Sequence, residues 1–422
     1  MRVTLINTSD AGGGAPVASM RLLRALESAN VDVKLLVQTK KTTAVRVHET
    51  DKTFFNRLKE KFNFFYERLP FIAFFAKDKS VRFAFSTANA GTSIALEPLI
   101  LEADILHLHW TNSGFLSIEN LKELLDLGKP IVWTLHDMWT FTGGCHYAGT
   151  CDHFKKHCGN CYFLRNPEPY DISYDGWLRK KDLYIKAHKI NFVSCSHWLA
   201  TIAQQSSLIK NFKIKSIPNP IDTEIYAPGN RPSLRLKWKI NPESKIILFG
   251  AANINDRRKG ISYLVDALVH LKDDYRQLSV VEVIIFGKNK HFDVTRLPFH
   301  VHELNMISSQ KDLAELYSLS DVYVLPSVED NLPNTVMEAL ACGTPVVAFN
   351  TGGLPEMIDH RKNGYLADFE SATDLAKGIH ETLYTADTQE MSSQARNKVL
   401  NNFTNEKVSS QYIEIYQSLG IQ

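Results

Sequence analysis

The sequence lacks a strong net charge and any long apolar run. Its 48 Lys and Arg residues nearly balance its 46 Asp and Glu residues, and the formal net charge of +2 argues against bulk electrostatic binding of nucleic acid. No apolar run approaches the roughly 18 residues that a membrane-spanning helix needs. The first residues, MRVTLINTSD, are typical of a strand and a turn, not of a signal peptide. We therefore expect a cytoplasmic protein with no nucleic-acid partner.

Cysteine is scarce, and the sequence has no internal repeat and no low-complexity segment. We expect the six Cys among 422 residues to be reduced or metal-bound in a cytoplasmic protein. Hydrophobic residues make up 44% and charged residues 22%, as in soluble globular proteins. A chain of this length is too long for one ordinary hydrophobic core, so two domains are expected.

The most informative stretch runs from Asp321 to Phe349. Its pattern predicts a strand at Val322 to Leu325, a helix at Asn334 to Ala341 and a second buried strand at Pro345 to Phe349. Gly343 is placed to end the helix. The stretch is therefore a strand–loop–helix–strand unit of a parallel sheet.

The polar residues of this unit stand where parallel sheets bind ligands. Ligands bind outside the carboxyl ends of parallel strands, and the N–H groups of Asn334 and Thr335 open a helix that would attract phosphate. Glu338 lies one turn further along the same helix face and could accept two hydrogen bonds from a ribose diol. In the alternative interpretation, Asp330 only caps the helix and Glu338 only faces water.

This stretch resembles the signature of the retaining, nucleotide-sugar-dependent glycosyltransferases with the GT-B architecture, known as family 4 or glycosyl transferases group 1. That signature has two Glu with seven residues between them and a Pro three residues after the first. Asp330 and Glu338 hold the two acidic places and Pro333 is in register, with Asp replacing the first Glu. The resemblance implies that Asp330 is catalytic and contacts the sugar, and that Glu338 binds ribose. The donor-binding residues implied here are Asn331, Leu332, Pro333, Asn334, Thr335 and Glu338.

A basic turn precedes another predicted helix. Arg258 and Lys259 stand at a loop-to-helix junction, where Arg and Lys suit a pyrophosphate, although a lone basic turn can also be merely solvated. The family resemblance implies that Lys259, followed by Gly260, binds the donor phosphates and stabilises the leaving group. The Arg that the family carries further upstream is Asn253 here, and Arg258 would supply that charge.

A glycine-rich turn follows the first predicted strand, Arg2 to Asn7. It is neither a GxGxxG nor a P-loop, and by itself it is as consistent with a flexible turn as with a ligand loop. Members of the resembled family carry a glycine-rich first loop that faces the interdomain cleft. The resemblance therefore implies donor binding by Gly13 and Gly14.

Two predicted strands end in histidine. The TLHD phrase resembles the family's active-site His motif, which implies that His136 binds sugar hydroxyls and shapes the field around a developing oxocarbenium ion. His109 is a weaker candidate. A lone His is otherwise a structural residue more often than a catalytic one.

Four of the six Cys fall in one short loop. Cys145, Cys151, Cys158 and Cys161 are spaced by five, six and two residues, and the last pair has the spacing of a structural zinc knuckle. Two disulfides and four free thiols are the alternatives, and His146, His153 or His157 could replace one Cys. A zinc ion here would be structural, because four protein ligands leave no open position for chemistry.

Residues 51–85 combine many Phe with interleaved Lys and Arg. A basic, aromatic, amphipathic segment can lie in a membrane interface, and the lipid-linked acceptors common in the resembled family would suit that role. The alternative is an ordinary helix pair that packs its Phe stripe on the core.

The alternation of strands and helices predicts an α/β protein, and the resemblance implies GT-B, with two Rossmann-like doubly wound parallel-sheet domains facing an interdomain cleft. We expect an N-terminal acceptor-side domain at 1–217, a linker at 218–241, a nucleotide-sugar-binding domain at 242–400 and a final helix within 401–422 that packs back on the first domain. The chain has no Asp-x-Asp motif. No cofactor is therefore expected for catalysis.

The resemblance implies transfer of a sugar, with retention, from a nucleoside-diphosphate sugar to a glycan or lipid-linked glycan in bacterial surface polysaccharide biosynthesis. The enzyme would be cytoplasmic, with peripheral contact at the inner face of the membrane. Two alternatives remain: a GT-B enzyme of other chemistry, such as a phosphorylase or nucleotide-sugar epimerase, and a catalytically silent nucleotide- or glycan-binding partner.

Overall fold

Two parallel β-sheets, each alternating with helices along the chain, organise the protein. The computed structural model describes residues 1–50, 53–187, 189–275 and 280–420. Unit 1 comprises residues 1–218 and the chain from Ser409 onward, and unit 2 comprises Asn219–Val408. Among the helices of the described ranges, none has the length and apolarity needed to cross a bilayer.

The sheet of unit 1 has seven strands in the order β3-β2-β1-β4-β5-β6-β7, and every neighbouring pair is parallel. The strands are β1 Arg2–Ser9, β2 Asp32–Thr39, β3 Val47–Glu49, β4 Ile105–Leu108, β5 Ile131–Leu135, β6 Ile190–Ser194 and β7 Ile214–Ser216. The helices are α1 Gly14–Ser28, α2 Phe54–Pro70, α3 Pro98–Glu102, α4 Ile118–Asp126, α5 Ile172–Ile185 and α6 His197–Gln204. Strands β4 and β5 are buried at every position, as expected of central parallel strands.

The sheet of unit 2 has six strands in the order β10-β9-β8-β11-β12-β13, again all parallel. The strands are β8 Lys245–Asn253, β9 Val281–Lys288, β10 His300–Leu304, β11 Val322–Leu325, β12 Val346–Phe349 and β13 Gly364–Ala367. The helices are α7 Arg231–Lys237, α8 Ile261–Asp274, α9 Gln310–Leu319, α10 Asn334–Ala341, α11 Leu354–Met357, α12 Ala372–His380, α13 Thr388–Asn402 and α14 Asn405–Ser418.

The prediction of two parallel-sheet α/β domains is confirmed. In each sheet the strand order reverses at one place, between β1 and β4 in unit 1 and between β8 and β11 in unit 2. Such reversal points open a crevice at the carboxyl ends of the strands, where ligands bind. Ligand-binding residues are therefore expected in the loops that follow these four strands.

The segment from 218 to 241, expected to be a linker, contains helix α7 and groups almost entirely with unit 2. Arg231 and Arg235 of this helix both pair with Asp321, at 3.0 and 2.7 Å, which ties the segment to the start of β11. At the other end of unit 2, α14 continues into unit 1. Its Tyr412 and Tyr416 hydroxyls reach side chains of the first sheet there.

Candidate functional site

Three loops of unit 2, which follow β8, β11 and β12, meet at the carboxyl ends of these strands. Lys259 Nζ lies 2.5 Å from Asp330 Oδ2, and Ser327 Oγ donates to the same carboxylate oxygen at 3.2 Å. The backbone N–H of Gly353 donates to the carbonyl of Asp330 at 3.1 Å. The fold therefore brings together the basic turn at Arg258 and Lys259, the loop that contains Asp330, and the turn at Gly352 and Gly353.

Two glycines make this close approach possible. A Cβ on Gly260 would lie 1.9 Å from the carbonyl oxygen of Pro326, and one on Gly352 would lie 2.0 Å from that of Asp330. Both glycines also have positive φ, at 71° and 61°, where other residues are strained. Any larger residue would push the loops apart.

Asp330 does not cap helix α10. The N-cap residue is Pro333, and no side chain caps the helix, so the N–H groups of Asn334 and Thr335 open it without a capping carboxylate. The interpretation of Asp330 as only a cap is therefore wrong. The side chain of Asn334 is held instead by Asn219, whose Nδ2 donates to Oδ1 at 3.3 Å. Asn331 and Leu332, in the same loop, are buried.

Glu338 is buried, and the interpretation that it only faces water is also wrong. Its Oε2 accepts a hydrogen bond from the hydroxyl of Tyr317 at 3.0 Å. Burial, and then the neighbouring Glu338, raise the pKa of Tyr317, so the phenol remains a donor. Tyr317 thus fixes the carboxylate one turn into α10.

The basic turn is built by Asp256. Its carboxylate accepts from the N–H of Arg258 at 3.0 Å and from Nη2 of Arg258 at 2.8 Å. The turn Arg257–Lys259 then leads through Gly260 into α8. Arg258 and Lys259 therefore stand at the N-terminus of a helix, where anions are favoured.

The glycine-rich turn of unit 1 opens helix α1. Gly13 is the N-cap, with no side-chain cap, and a Cβ on Gly14 would meet nothing within 4 Å. Asp10 anchors the turn by accepting from the N–H groups of Lys41 and Thr42 at 2.7 and 3.0 Å. Burial raises the pKa of Asp10, but these bonds and the one from the Thr42 hydroxyl outweigh it and lower the pKa overall.

His136 belongs to a stack of three imidazoles in unit 1. Its Nε2 lies 2.9 Å from His109 Nδ1, and the ring of His109 stacks on His107 at 4.5 Å. His107 is hydrogen-bonded to Tyr416 and Thr134, each at 2.7 Å. Burial lowers the pKa of His136 to about 4 and that of His107 to about 3, so these rings are neutral near pH 7. Sequence reasoning missed His107, although its spacing of two from His109 places both on one strand face.

A second hydrogen-bonded chain fixes Asp137, the residue after His136. Ser86 Oγ lies 2.9 Å from His146 Nε2, and His146 Nδ1 lies 2.7 Å from Asp137 Oδ2. Trp110 Nε1 donates to the same oxygen at 2.9 Å. Burial raises the pKa of Asp137, but the charge of His146 and the hydrogen bonds to Asp137 outweigh burial and lower the pKa overall. No sequence pattern indicates that Ser86 takes part in this hydrogen-bonded series. His146, considered above as a possible zinc ligand, is bonded to Asp137 instead.

The four Cys of the loop are free thiols, so the two-disulfide alternative is not observed. Burial raises the pKa of Cys145, Cys158 and Cys161 to about 12, and neighbouring thiols add to the effect in each case. In the described part of the chain, the side chains close enough to share a metal ion lie elsewhere, in unit 2. The predicted zinc site is therefore not supported by this geometry, and zinc in the loop stays a prediction.

The aromatic segment, residues 51–85, forms one long helix, α2, which continues into a single π-helical turn at Phe71–Phe75, and not a helix pair. Its buried face carries the polar Asn63 and Glu67, whereas its outer face is apolar. The exposed apolar residues are Leu58, Phe62, Phe64, Phe65, Tyr66, Leu69, Phe74, Phe75 and Phe83, between 39% and 73% exposed. The interpretation of a Phe stripe packed on the core is therefore wrong for most of this stripe. Asp51, Lys52 and the side chains of Phe54 and Phe55 lie outside the described residues.

Comparisons with known proteins agree with this architecture. A family model described as Glycosyl transferases group 1 matches residues 230–399, and one described as Glycosyltransferase Family 4 matches residues 12–225. Among solved structures, Anabaena HepE in complex with UDP and glucose is 17% identical, with a TM-score of 0.64 over 99% of this chain and 100% of that one. Trehalose-6-phosphate synthase is 12% identical, with a TM-score of 0.66 over 99% of each chain. At such identity the likeness concerns the fold.

Curated relatives are similar at a modest level. The chain is 26% identical over 335 residues to a putative colanic acid biosynthesis glycosyl transferase, WcaC, of Escherichia coli, covering 76% of this chain and 77% of that protein. It is 28% identical over 221 residues to N-acetyl-alpha-D-glucosaminyl L-malate synthase of Bacillus anthracis, covering 51% of this chain. The match spans little more than half of that enzyme, 56%. The two family models together cover most of the chain, which therefore belongs to the GT-B glycosyltransferases of group 1 and family 4.

Proposed function

We propose that this protein transfers a sugar, with retention of anomeric configuration, from a nucleoside-diphosphate sugar to an acceptor hydroxyl in bacterial surface polysaccharide biosynthesis. The observation that carries the proposal is the ion pair of Lys259 and Asp330 beside the N-termini of α8 and α10. WcaC is described as a putative colanic acid biosynthesis glycosyl transferase, and HepE has been solved with UDP-glucose, which supports this class of product and donor.

In this mechanism the departing diphosphate is met by cations and by helix N-termini. Lys259 and Arg258 bind the phosphates, and the N-terminus of α10 at Asn334 and Thr335, which no side chain caps, adds its dipole. Negative charge grows on the leaving diphosphate as the sugar bond breaks. Preorganised donors aimed at that charge lower the barrier without a divalent ion in the mechanism.

Asp330 has two roles in this mechanism. Its Oδ2 holds the ammonium of Lys259, which keeps the cation aimed at the phosphates when no donor is bound. Oδ1 then accepts a hydroxyl of the donor sugar. Because Asp is one methylene shorter than the Glu of the family signature, this sugar must sit closer to the loop.

His136 binds a sugar hydroxyl as a neutral imidazole. Its pKa of about 4 means that the ring carries no charge near pH 7. A cation at this place would oppose the positive charge that develops on the anomeric carbon, whereas a neutral ring can still hydrogen-bond. Glu338, oriented by Tyr317, accepts the ribose hydroxyls. Gly13 and Gly14 let the donor approach the backbone at the start of α1.

The acceptor is lipid-linked, and helix α2 brings the enzyme to the membrane surface. Its exposed stripe at Leu58, Phe62, Phe65 and Leu69 follows helical spacing, and basic residues such as Lys59 flank it. A helix that buries Asn63 and Glu67 while exposing its aromatic residues needs an apolar partner. The flanking cations fit an anionic lipid surface.

A pocket of about 600 Å³ in unit 1 lies against another face of α2 and suits the acceptor. Residues of the helix that line it are Arg57, Glu60, Lys61, Phe64 and Phe65, and residues near β2 and β3 that line it are Gln38, Thr39, Lys40 and Glu49. Its two aromatic rings, three cations and two carboxylates offer partners for both the sugar hydroxyls and the phosphate of a glycolipid. Because Phe65 belongs to both surfaces, the pocket opens next to the membrane-facing stripe.

The test is a donor screen followed by product analysis. UDP- and GDP-sugars are first ranked by thermal stabilisation of the protein, and the best donors are then assayed with lipid-linked acceptors. NMR of the fresh linkage should show the donor's anomeric configuration, and an inverted anomer would overturn the mechanism. Binding without turnover would favour the silent-partner alternative, which the departures at Asp330 and Asn253 motivate. Turnover that requires free phosphate would indicate a phosphorylase. Conversion of the nucleotide sugar without any acceptor would indicate an epimerase.

A further inference from the structure

Two histidines and a glutamate meet on the edge of the unit 2 sheet. His300 and His302 alternate along β10, so their side chains lie on the same face of the strand. Glu282 of β9 is the register partner of His300 and belongs to that face as well. In the described ranges, these three form the group of His, Cys, Asp or Glu side chains whose ligand atoms all lie within 4.8 Å of one another.

The hydrogen bonds around these three residues resemble those of a preformed metal site. Glu282 Oε2 lies 2.5 Å from His302 Nε2, and Ser244 Oγ donates to the other carboxylate oxygen. The rings of His300 and His302 stand nearly perpendicular, with centroids 4.8 Å apart. Glu282 and Ser244 are buried, His302 is half-buried and His300 is exposed. The group is therefore accessible to solvent at His300, and the hydrogen bond from Ser244 holds the carboxylate of Glu282 in position.

We propose that Glu282, His300 and His302 bind a divalent transition-metal ion of the zinc class. Imidazole nitrogens and a carboxylate oxygen are a ligand set that Zn²⁺ accepts, and three protein ligands leave a fourth position for water. Ser244 would orient the carboxylate, as outer-shell partners of metal ligands do. The ion would replace the direct bond between His302 and Glu282 and would draw in His300.

A simpler account explains only part of the arrangement. The bond from His302 satisfies the buried carboxylate of Glu282 and needs no metal. That account gives no role to His300, which faces solvent and is directly opposite Glu282 in the register. His300 therefore distinguishes the two accounts, and because it is exposed its replacement should leave the fold intact.

The position of the group predicts what metal binding would do. Glu282 is the second residue of β9 and His300 is the first of β10, so the group lies at the amino ends of these strands. The proposed donor site lies at the carboxyl ends of β8 and β11. An ion would clamp edge strand β10 to β9 and raise the melting temperature, whereas turnover would change little. The inference is thus independent of the proposed transferase activity.

The test is titration of untagged, chelator-treated protein with Zn²⁺ by calorimetry, and with Co²⁺ by absorption spectroscopy. We expect one site whose affinity falls on the order of tenfold or more in His300→Ala and Glu282→Gln. The matched control is His270→Ala, which removes another exposed His, bonded to Asp274 at 3.1 Å, and should leave the affinity unchanged.

The Co²⁺ spectrum identifies the ligands. A site of His and Glu gives d–d bands without the thiolate charge-transfer absorption that the Cys loop would produce. Equal metal affinity in wild type and His300→Ala would overturn the proposal, as would a spectrum dominated by thiolate bands that the His300 variant does not alter.

Discussion

Lys259 and Asp330, which are 71 residues apart in the sequence, form an ion pair with 2.5 Å between Nζ and Oδ2. The side chains are only 21% and 10% exposed, so the pair is largely shielded from water. It joins the loop before α8 to the loop before α10. A cation that is already positioned needs little reorganisation when a diphosphate arrives, which is the basis of the first prediction.

Replacing Lys259 with Ala should lower turnover by about 10²–10³-fold, because one preorganised donor to the leaving group is lost. The control is Arg257→Ala, which removes an exposed cation from the same turn and should be nearly neutral. Lys259→Ala also leaves the Asp330 carboxylate without its cationic partner, with the hydrogen bond from Ser327 remaining. The double variant Lys259→Ala with Asp330→Asn should therefore recover thermal stability without recovering turnover. Near-normal turnover in a folded Lys259→Ala protein would remove this residue from the mechanism.

Replacing Glu338 with Gln should weaken donor binding by about 1.5–3 kcal/mol, because charge-assisted bonds to ribose are lost. The amide oxygen of Gln can still accept the bond from Tyr317, so the packing of α10 on α9 should survive. Calorimetry with the nucleotide measures the effect, and the KM for the acceptor should stay constant. The control, Tyr317→Phe, removes only the orienting bond and should cost less. Equal nucleotide affinity in wild type and the Gln variant would refute the ribose assignment.

The neutral histidines of unit 1 should make the fold sensitive to acid. Burial lowers the pKa of His136 from 6.5 to about 4, so the unfolded chain binds more protons than the folded one between these values. Their contribution to stability is fully present above pH 6.5 and is lost as the pH falls towards 4. His136→Asn should flatten the dependence of Tm on pH in this window, whereas the exposed His270→Asn should follow the wild type. If Tm depends on pH in the same way in the wild type and both variants, His136 is not the group whose protonation destabilises the fold.

Helix α2 should bind anionic bilayers. We expect the protein to sediment with phosphatidylglycerol vesicles and not with phosphatidylcholine vesicles, and to be released by salt, because each Lys or Arg near such a surface contributes about 1 kcal/mol. Phe62→Ser with Phe65→Ser should abolish binding. The control pair, Leu96→Ser with Leu236→Ser, changes residues that are 83% and 81% exposed elsewhere and should bind normally. Retained binding in the Phe variant would exclude this surface.

The Cys loop should contain protonated, unreactive thiols. With the pKa of Cys145, Cys158 and Cys161 raised to about 12, few thiolates are present at neutral pH. A thiol reagent should label few Cys in the folded protein and all six after unfolding without reductant. One zinc per chain that survives in His300→Ala and disappears in Cys161→Ser would instead establish the zinc site.

The sequence by itself determined the local architecture of unit 2. The helix of α10 was predicted at Asn334 to Ala341 and is observed there, because the apolar spacing and Gly343 define it within one short stretch. The spacing of Asp330 and Glu338 belongs to the same stretch. The family could be recognised from such local motifs because each needs only neighbouring residues to form.

Only the tertiary structure decided which distant side chains meet. Asp330 pairs with Lys259, not with the helix it precedes, and His107 reaches Tyr416 across 309 residues. Such contacts depend on the order of the strands in each sheet, and that strand order cannot be deduced from the spacing of residues along the chain. The same holds for α2, whose aromatic spacing was visible in the sequence. Its buried face proved to be the polar one because burial is set by what packs against a helix, not by its composition alone.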